Sequence, residues 1–140
     1  GLMSSAKDME TIGDLIYRNM LPLIDKKRNL ESDFSDEGKE ELMIYHQKVC
    51  GHIRRLKEAL AVTVPGESCQ IMEQERVYLD LEAQYRIKHL ERVRHQHPES
   101  LATHEVHMDL LDQLKQVVVY SSNIALTFSA ICKGVPAGQQ

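Results

Sequence analysis

Apolar residues recur along this chain in steps of three and four, the spacing that lines one face of an α-helix, in four stretches separated by turn-forming residues. In the first, Met9, Ile12, Ile16, Met20 and Leu23 fall on one stripe, which predicts a helix over about residues 5–28. Asp8 and Glu10 lie early in it and Lys26, Lys27 and Arg28 late, so both sets complement the helix dipole. Pro22 removes one amide donor and crowds the preceding turn, so a kink is expected there.

Ser35 is placed to cap a second helix over about 35–63, with Asp36 and Glu37 in its first turn. Leu42, Val49 and Leu56 repeat at seven, with Ile53 and Leu60 on the adjoining seam, which is the spacing of bundle packing. Pro65-Gly66 marks a turn. A third helix over about 67–95 turns Ile71, Tyr78, Leu81, Tyr85 and Leu90 or Val93 inward, and His97-Pro98 ends it. Ser100 is the expected cap of a fourth helix over about 101–133. Its inward positions are Met108, Leu111, Leu114, Val118, Ala125, Phe128 and Cys132, and Lys133-Gly134 with Pro136 forms its stop. Ser121, Ser122 and Ala125 are small enough to let a neighbouring helix approach closely. Four helices of similar length on short loops predict an all-α fold, an antiparallel up-down four-helix bundle, and 140 residues make one domain.

Composition narrows the function more than the fold. The chain is 42% hydrophobic but has no Trp and two Phe, so its core is built from Leu, Ile, Val, Met and Tyr. A formal charge of -4 and a pI near 6.0 argue against nucleic acid as a partner, which calls for a basic field. Cys50, Cys69 and Cys132 have no C-x-x-C spacing, so neither a disulfide framework nor a thiolate zinc site is indicated and a reducing cytoplasm fits. The longest wholly apolar candidate, Val117-Val118-Val119-Tyr120, is far short of the ~18 residues that span a bilayer. There is no Gly-rich phosphate loop, Gly-x-Ser-x-Gly elbow or His-Glu-x-x-His motif, and the chain reads as a non-enzyme.

Three groups of side chains are chemically suggestive. Glu10 and Asp14 stand four apart on one helix face, where they repel unless a cation or basic partner lies between them. Carboxylates suit hard divalent or trivalent metal ions, but one pair supplies too few ligands, so others must come from another helix or chain. His104 and His107 are three apart with Asp109 and Asp112 nearby, a spacing compatible with zinc or iron, against the plainer reading of a solvent-facing first turn. His89 is placed to hydrogen-bond Glu82, Tyr85 or Asp109. Arg86, Lys88, Arg92 and Arg94 with His95 and His97 suit an anionic lipid or phosphorylated partner, or simply a helix end that favours the dipole.

The stretch Glu10-Thr11-Ile12-Gly13-Asp14-Leu15-Ile16, continuing through Asn19 to Asp33-Phe34-Ser35-Asp36-Glu37-Gly38, resembles the helix signature of the PhoU family. Phe34 to Gly38 looks like the PhoU-type domain at the C-terminus of bacterial sodium/phosphate cotransporters. His89-Leu90-Glu91-Arg92 and His107-Met108-Asp109-Leu110-Leu111 resemble the matching segments of those tails, so nearly the whole chain is covered. The resemblance implies a regulatory domain on the cytoplasmic face of the inner membrane, the C-terminal fragment of a longer transporter whose membrane carrier lies upstream. It makes Glu10 and Asp14 candidate metal ligands, and His89, Arg92, His104, His107 and Asp109 a candidate polar cluster. PhoU proteins repeat three helices with the acidic motif on the third, which the first helix here resembles. Lys115 and Val119 replace the acids of the second repeat, so its metal site is expected to be absent. A stand-alone PhoU-type signalling adaptor is the alternative, and a metal-carboxylate bundle the second, although Glu105-Val106-His107 lacks the Glu-x-x-His spacing that it needs. With two helices of its repeat missing, the first helix is expected to cover Ile12, Ile16 and Met20 in a homodimer.

Overall fold

The computed structural model describes residues 1–61 and 67–132. Helix α1 (Leu2–Asp14) runs through one π-helical turn (Leu15–Met20) into α2 (Leu21–Arg28), and the long helices α3 (Asp36–Ala61) and α4 (Glu67–Arg94) follow. A short α5 (Pro98–Ala102) leads into α6 (His104–Cys132). Every regular element among the described residues is helical, as the sequence periodicity predicts. The expected turn at Pro65-Gly66, the stop at Lys133-Gly134 and Pro136, and the inward side chain of Cys132 lie outside the described residues.

The first helical stretch departs from its predicted face. Ile12 and Met20 pack partly buried against the core and Leu15 is fully within it, but Ile16, expected inward, is 42% exposed. The inward positions step from Leu15 to Met20 by five residues because a π turn intervenes, in which the Leu21 N–H donates to the Ile16 carbonyl. The wider turn directly precedes Pro22, at the start of α2, where the missing N–H and the ring of proline disturb the regular hydrogen-bond ladder.

The other helix ends have identifiable causes. Ser35 caps α3 as expected, its hydroxyl accepting from the Gly38 N–H at 3.1 Å and its carbonyl from the Lys39 N–H at 2.9 Å. Asp33 secures the preceding loop by bridging Lys27 (2.9 Å) and Lys39 (2.7 Å), and these partners hold its carboxyl well below the usual range. At the end of α4 the His97 N–H reaches the Arg92 carbonyl and the Gln96 N–H reaches that of Val93. Gln96 takes the left-handed conformation, φ 57°, that this paired closure requires. Ser100 is not the cap of α6: it is buried inside α5, and α6 starts after Thr103, whose carbonyl receives the His107 N–H at 2.9 Å.

Helix α6 is the hub, with α1, α3 and α4 packed along it and α3 also packed on α4. One apolar cluster joins Leu15, Val49, Leu111, Leu114, Val117 and Val118 with the rings of Tyr45 and Tyr85. A second joins Leu56, Ile71, Ile124 and Ala125, with Phe128 against it. Each such aliphatic side chain contributes roughly 1.5–3 kcal/mol on burial. Val49, Leu56, Ile71, Tyr85, Leu111, Leu114, Val118 and Ala125 are buried as predicted, whereas Leu90 is 45% exposed because its neighbour His89 turns inward instead. No helix among the described residues is long and apolar enough to cross a membrane.

Candidate functional site

Where the ends of α4, α5 and the starts of α3 and α6 meet, the interior is polar. Glu41 of α3 is buried and its carboxylate is gripped by both terminal nitrogens of Arg92 of α4, at 3.0 and 2.7 Å. This two-pronged geometry is the strongest ion pairing a side chain offers. Behind it, Glu41 Oε2 lies 3.9 Å from Nε2 of His107 on α6. The His107 ring stacks on His89 with centroids 4.1 Å apart and planes within 7°. His89 Nε2 in turn meets His104 Nδ1 at 2.9 Å. Those two rings are nearly parallel with centroids 5.1 Å apart, the separation of imidazoles laid end to end around a shared N–H···N bond. One of them must therefore be neutral.

The site is closed from the loop side. Phe34 meets the His107 ring edge-on at 5.8 Å, and a Cβ on Gly38 would stand 3.0 Å from the Ser35 hydroxyl oxygen and 3.4 Å from the His107 ring. Glycine lets the capped start of α3 rest on that imidazole. His89 and His107 are each only 1% exposed, and His89 Nδ1, both nitrogens of His107 and Arg92 Nε have no hydrogen-bond partner among the described residues. Burial comes first in pushing both histidines down, His89 to about 3 with repulsion from the neighbouring imidazoles adding to it as they protonate, and His107 to about 4 with the Arg92 guanidinium adding to it. Near neutral pH the stack is uncharged.

Outside this cluster lies an open groove of about 610 Å³ between α3 and α4. Glu37 and Glu40 line its α3 side and Lys88, Glu91, His95 and His97 the other, with Tyr85, Ile44 and the Glu41–Arg92 pair lining it further. Its walls carry both signs of charge. Further along the core, His52 Nε2 lies 3.1 Å from the Ser122 hydroxyl, with Tyr78 edge-on to its ring, and burial lowers its pKa. His52 and Ser122 are at most 1% exposed, so this pair has no approach for a substrate.

Of the residues singled out from sequence, the fold brings together His89, Arg92, His104 and His107. Asp109 is half-buried and shares no hydrogen bond or ion pair with them. His89 bonds to His104 and to none of its expected partners, Glu82, Tyr85 or Asp109. His104 is accordingly half-buried, its Nδ1 turned to His89. Glu82, buried, is held by Arg86 Nε at 2.9 Å. Arg86 and Arg92 are thus engaged in pairs and are not a solvated helix end.

Glu10 and Asp14 are both exposed on α1, far from saturated as ligands, with Asp14 paired to Arg18 at 3.4 Å. Among the described residues no group of three or more His, Cys, Asp or Glu side chains is arranged to hold a metal ion. Lys115 pairs with Asp112 at 3.3 Å.

Sequence reading missed Glu41. It shares a three- and four-residue seam with Gly38, Tyr45, Val49, His52 and Leu56, all buried. Following only apolar letters finds Val49 and Leu56 of this seam but joins them to Leu42, Ile53 and Leu60 of the next, which are half-buried. Comparison of the chain with protein-family models, with curated proteins and with solved structures found no match.

Proposed function

We propose that this chain is a PhoU-like regulatory domain of a sodium-dependent phosphate cotransporter, lying on the cytoplasmic face of the inner membrane beside a carrier domain encoded upstream. The observation that carries the reading is convergence. The segments that resemble the cotransporter tails lie near residues 35, 90 and 107, and Ser35, Gly38, His89, Arg92 and His107 from those segments meet in one buried cluster. Residues that share a signature because they build one site are expected to meet in this way.

A PhoU-like up-down bundle is the arrangement we favour for the four long helical stretches. Glu41 with Arg92, Tyr45 with Tyr85 and His52 with Tyr78 pair in opposite chain sense between α3 and α4, and Asn19 with Gln113 and Lys26 with Glu105 do so between the first stretch and α6. In this reading the domain communicates through a charged end surface, the α3–α4 groove, backed by a rigid histidine stack. It performs no bond chemistry of its own.

The test is phosphate uptake by cells expressing the complete gene product, compared with a product lacking this domain and with the Arg92→Ala and His107→Ala products at matched membrane levels. We expect the uptake rate, or its repression by external phosphate, to change in all three. Uptake and repression unaltered by deletion of the whole domain would overturn the reading.

A further inference from the structure

The α1–α2 stretch carries an apolar flank that nothing among the described residues covers. Met9, Ile16, Tyr17, Leu21 and Ile24 are between 42 and 73% exposed, with Tyr17 the most open. With the π turn counted in, they follow one side of the helix next to its buried seam of Ile12, Leu15 and Met20. Gly13 sits among them with no side chain of the protein within 4 Å of where a Cβ would be, leaving a notch. The flank opens onto an apolar groove of about 300 Å³ lined by Met9, Ile12, Ile53, Leu56, Leu60 and Ile124. The exposed apolar area is on the order of 500 Å², as large as the largest patch on most monomers.

Charge identifies the occupant. Between residues 7 and 14 the chain has three acidic side chains, Asp8, Glu10 and Asp14, against Lys7. Between 18 and 28 it has four basic ones, Arg18, Lys26, Lys27 and Arg28. Lys26 and Lys27 are engaged by Glu105 and Asp33 and Arg28 by Asp25, which leaves Arg18, bonded among the described residues only to the exposed Asp14 of its own helix, as the base that the flank offers. An identical stretch laid antiparallel sets Asp14 beside Arg18 of the other copy in both directions, whereas a parallel copy sets like against like. Asp14 and Arg18 are 51 and 75% exposed, so both are accessible to a partner.

We propose that two copies of this chain pair through the α1–α2 flank, antiparallel about a two-fold axis beside Ile16 and Tyr17. Such a pairing is self-complementary, as two-fold symmetry demands. Tyr17 of each copy packs at the axis beside the Gly13 notch, and Leu21 and Ile24 reach the groove beside Met9. Asp14 and Arg18 exchange charge across the rim. The apolar centre with its charged rim approaches the ~800 Å² per partner of a specific interface. The surface differs from the stripe of Ile12, Ile16 and Met20 expected from sequence, because Ile12 and Met20 turn into the protein's own core.

Light scattering and sedimentation of the 140-residue chain at tens of micromolar should give a dimer. Tyr17→Glu should shift dissociation at least a hundredfold toward monomer with helicity and melting retained, since the side chain is open in the single copy. Ile24→Glu repeats the test should that variant fail to fold. Arg18→Asp should weaken pairing by setting acid against acid, and adding Asp14→Arg should restore it. Val77→Glu, on an equally exposed apolar residue of α4, should leave the dimer intact. A monomer at these concentrations, or a dimer split by Val77→Glu and not by Tyr17→Glu, would overturn the proposal. Either result would assign the flank to another partner and leave the regulatory reading untouched.

Discussion

Acid should destabilise this fold through two particular imidazoles. An unfolded histidine titrates near 6.5, while His89 and His107 in the folded protein are held down to about 3 and about 4 by burial first, with the neighbouring imidazoles and Arg92 adding to it. A depressed histidine pKa means that the unfolded chain binds protons that the folded chain refuses. The folded state therefore has its full stability above pH 6.5 and loses it as pH falls toward the folded values. At pH 5 each imidazole contributes a loss of about 2 kcal/mol relative to pH 8, and the pair about 4 kcal/mol. Against a total of roughly 5–15 kcal/mol for a domain, that is a large share, and it lowers the melting temperature by about 10 °C or more.

The assay is urea unfolding from pH 8 to pH 4.5, with ring-proton NMR on the same samples. Near pH 5 unfolding should take up close to two protons from these residues, a slope of about 2.5 kcal/mol per pH unit. His89→Gln with His107→Gln should be less stable at pH 8 but lose most of that slope. The two ring signals should not titrate between pH 8 and pH 5.5 in the native protein. A wild-type stability that is flat down to pH 5, or an equal slope in the double variant, would refute the argument that these rings are kept neutral by the fold.

Two glycine substitutions on α3 should have opposite signs in thermal melts. Gly51→Ala meets nothing within 4 Å and should stabilise by about 0.5–1 kcal/mol, while Gly38→Ala must push back the Ser35 hydroxyl that caps the helix and should cost about 1–3 kcal/mol net. Glu41→Gln leaves the Arg92 charge half-answered inside the protein and should cost about 3 kcal/mol by urea unfolding, more than Glu40→Gln on the exposed face.

The four long helical stretches were legible from apolar spacing, with α3 and α4 matching prediction to within two residues among the described residues. Periodicity reports which face is buried only while the buried residues are apolar. In α4 the inward seam is Ile71, Tyr78, Glu82, Tyr85, His89 and Arg92, so half of its members look like surface residues; apolar spacing finds Ile71, Tyr78 and Tyr85 but past them points to Leu90 or Val93 in place of His89. The π turn was hidden for a different reason. It changes the step from four to five only between Leu15 and Met20, and Pro22 announces strain there without saying how the chain absorbs it. The histidines, by contrast, were flagged individually, but their meeting depends on the α5 turn returning His104 to the level of His89, which no local signal encodes.

The two ends of the core solve different problems. At the level of Leu56, Ile71 and Ile124 the helices meet through aliphatic surface, which holds them together without fixing their relative slide, since one aliphatic contact replaces another at little cost. At the other end, a shift of one helical turn between α3 and α4 would separate Glu41 from Arg92, and one between α4 and α6 would unstack His89 from His107. Each such shift leaves charges or ring nitrogens buried without partners, at several kcal/mol. The polar end therefore adds little to net stability and much to register. That is the quality a surface needs if the α3–α4 groove is to present its acids and bases at fixed positions to another molecule.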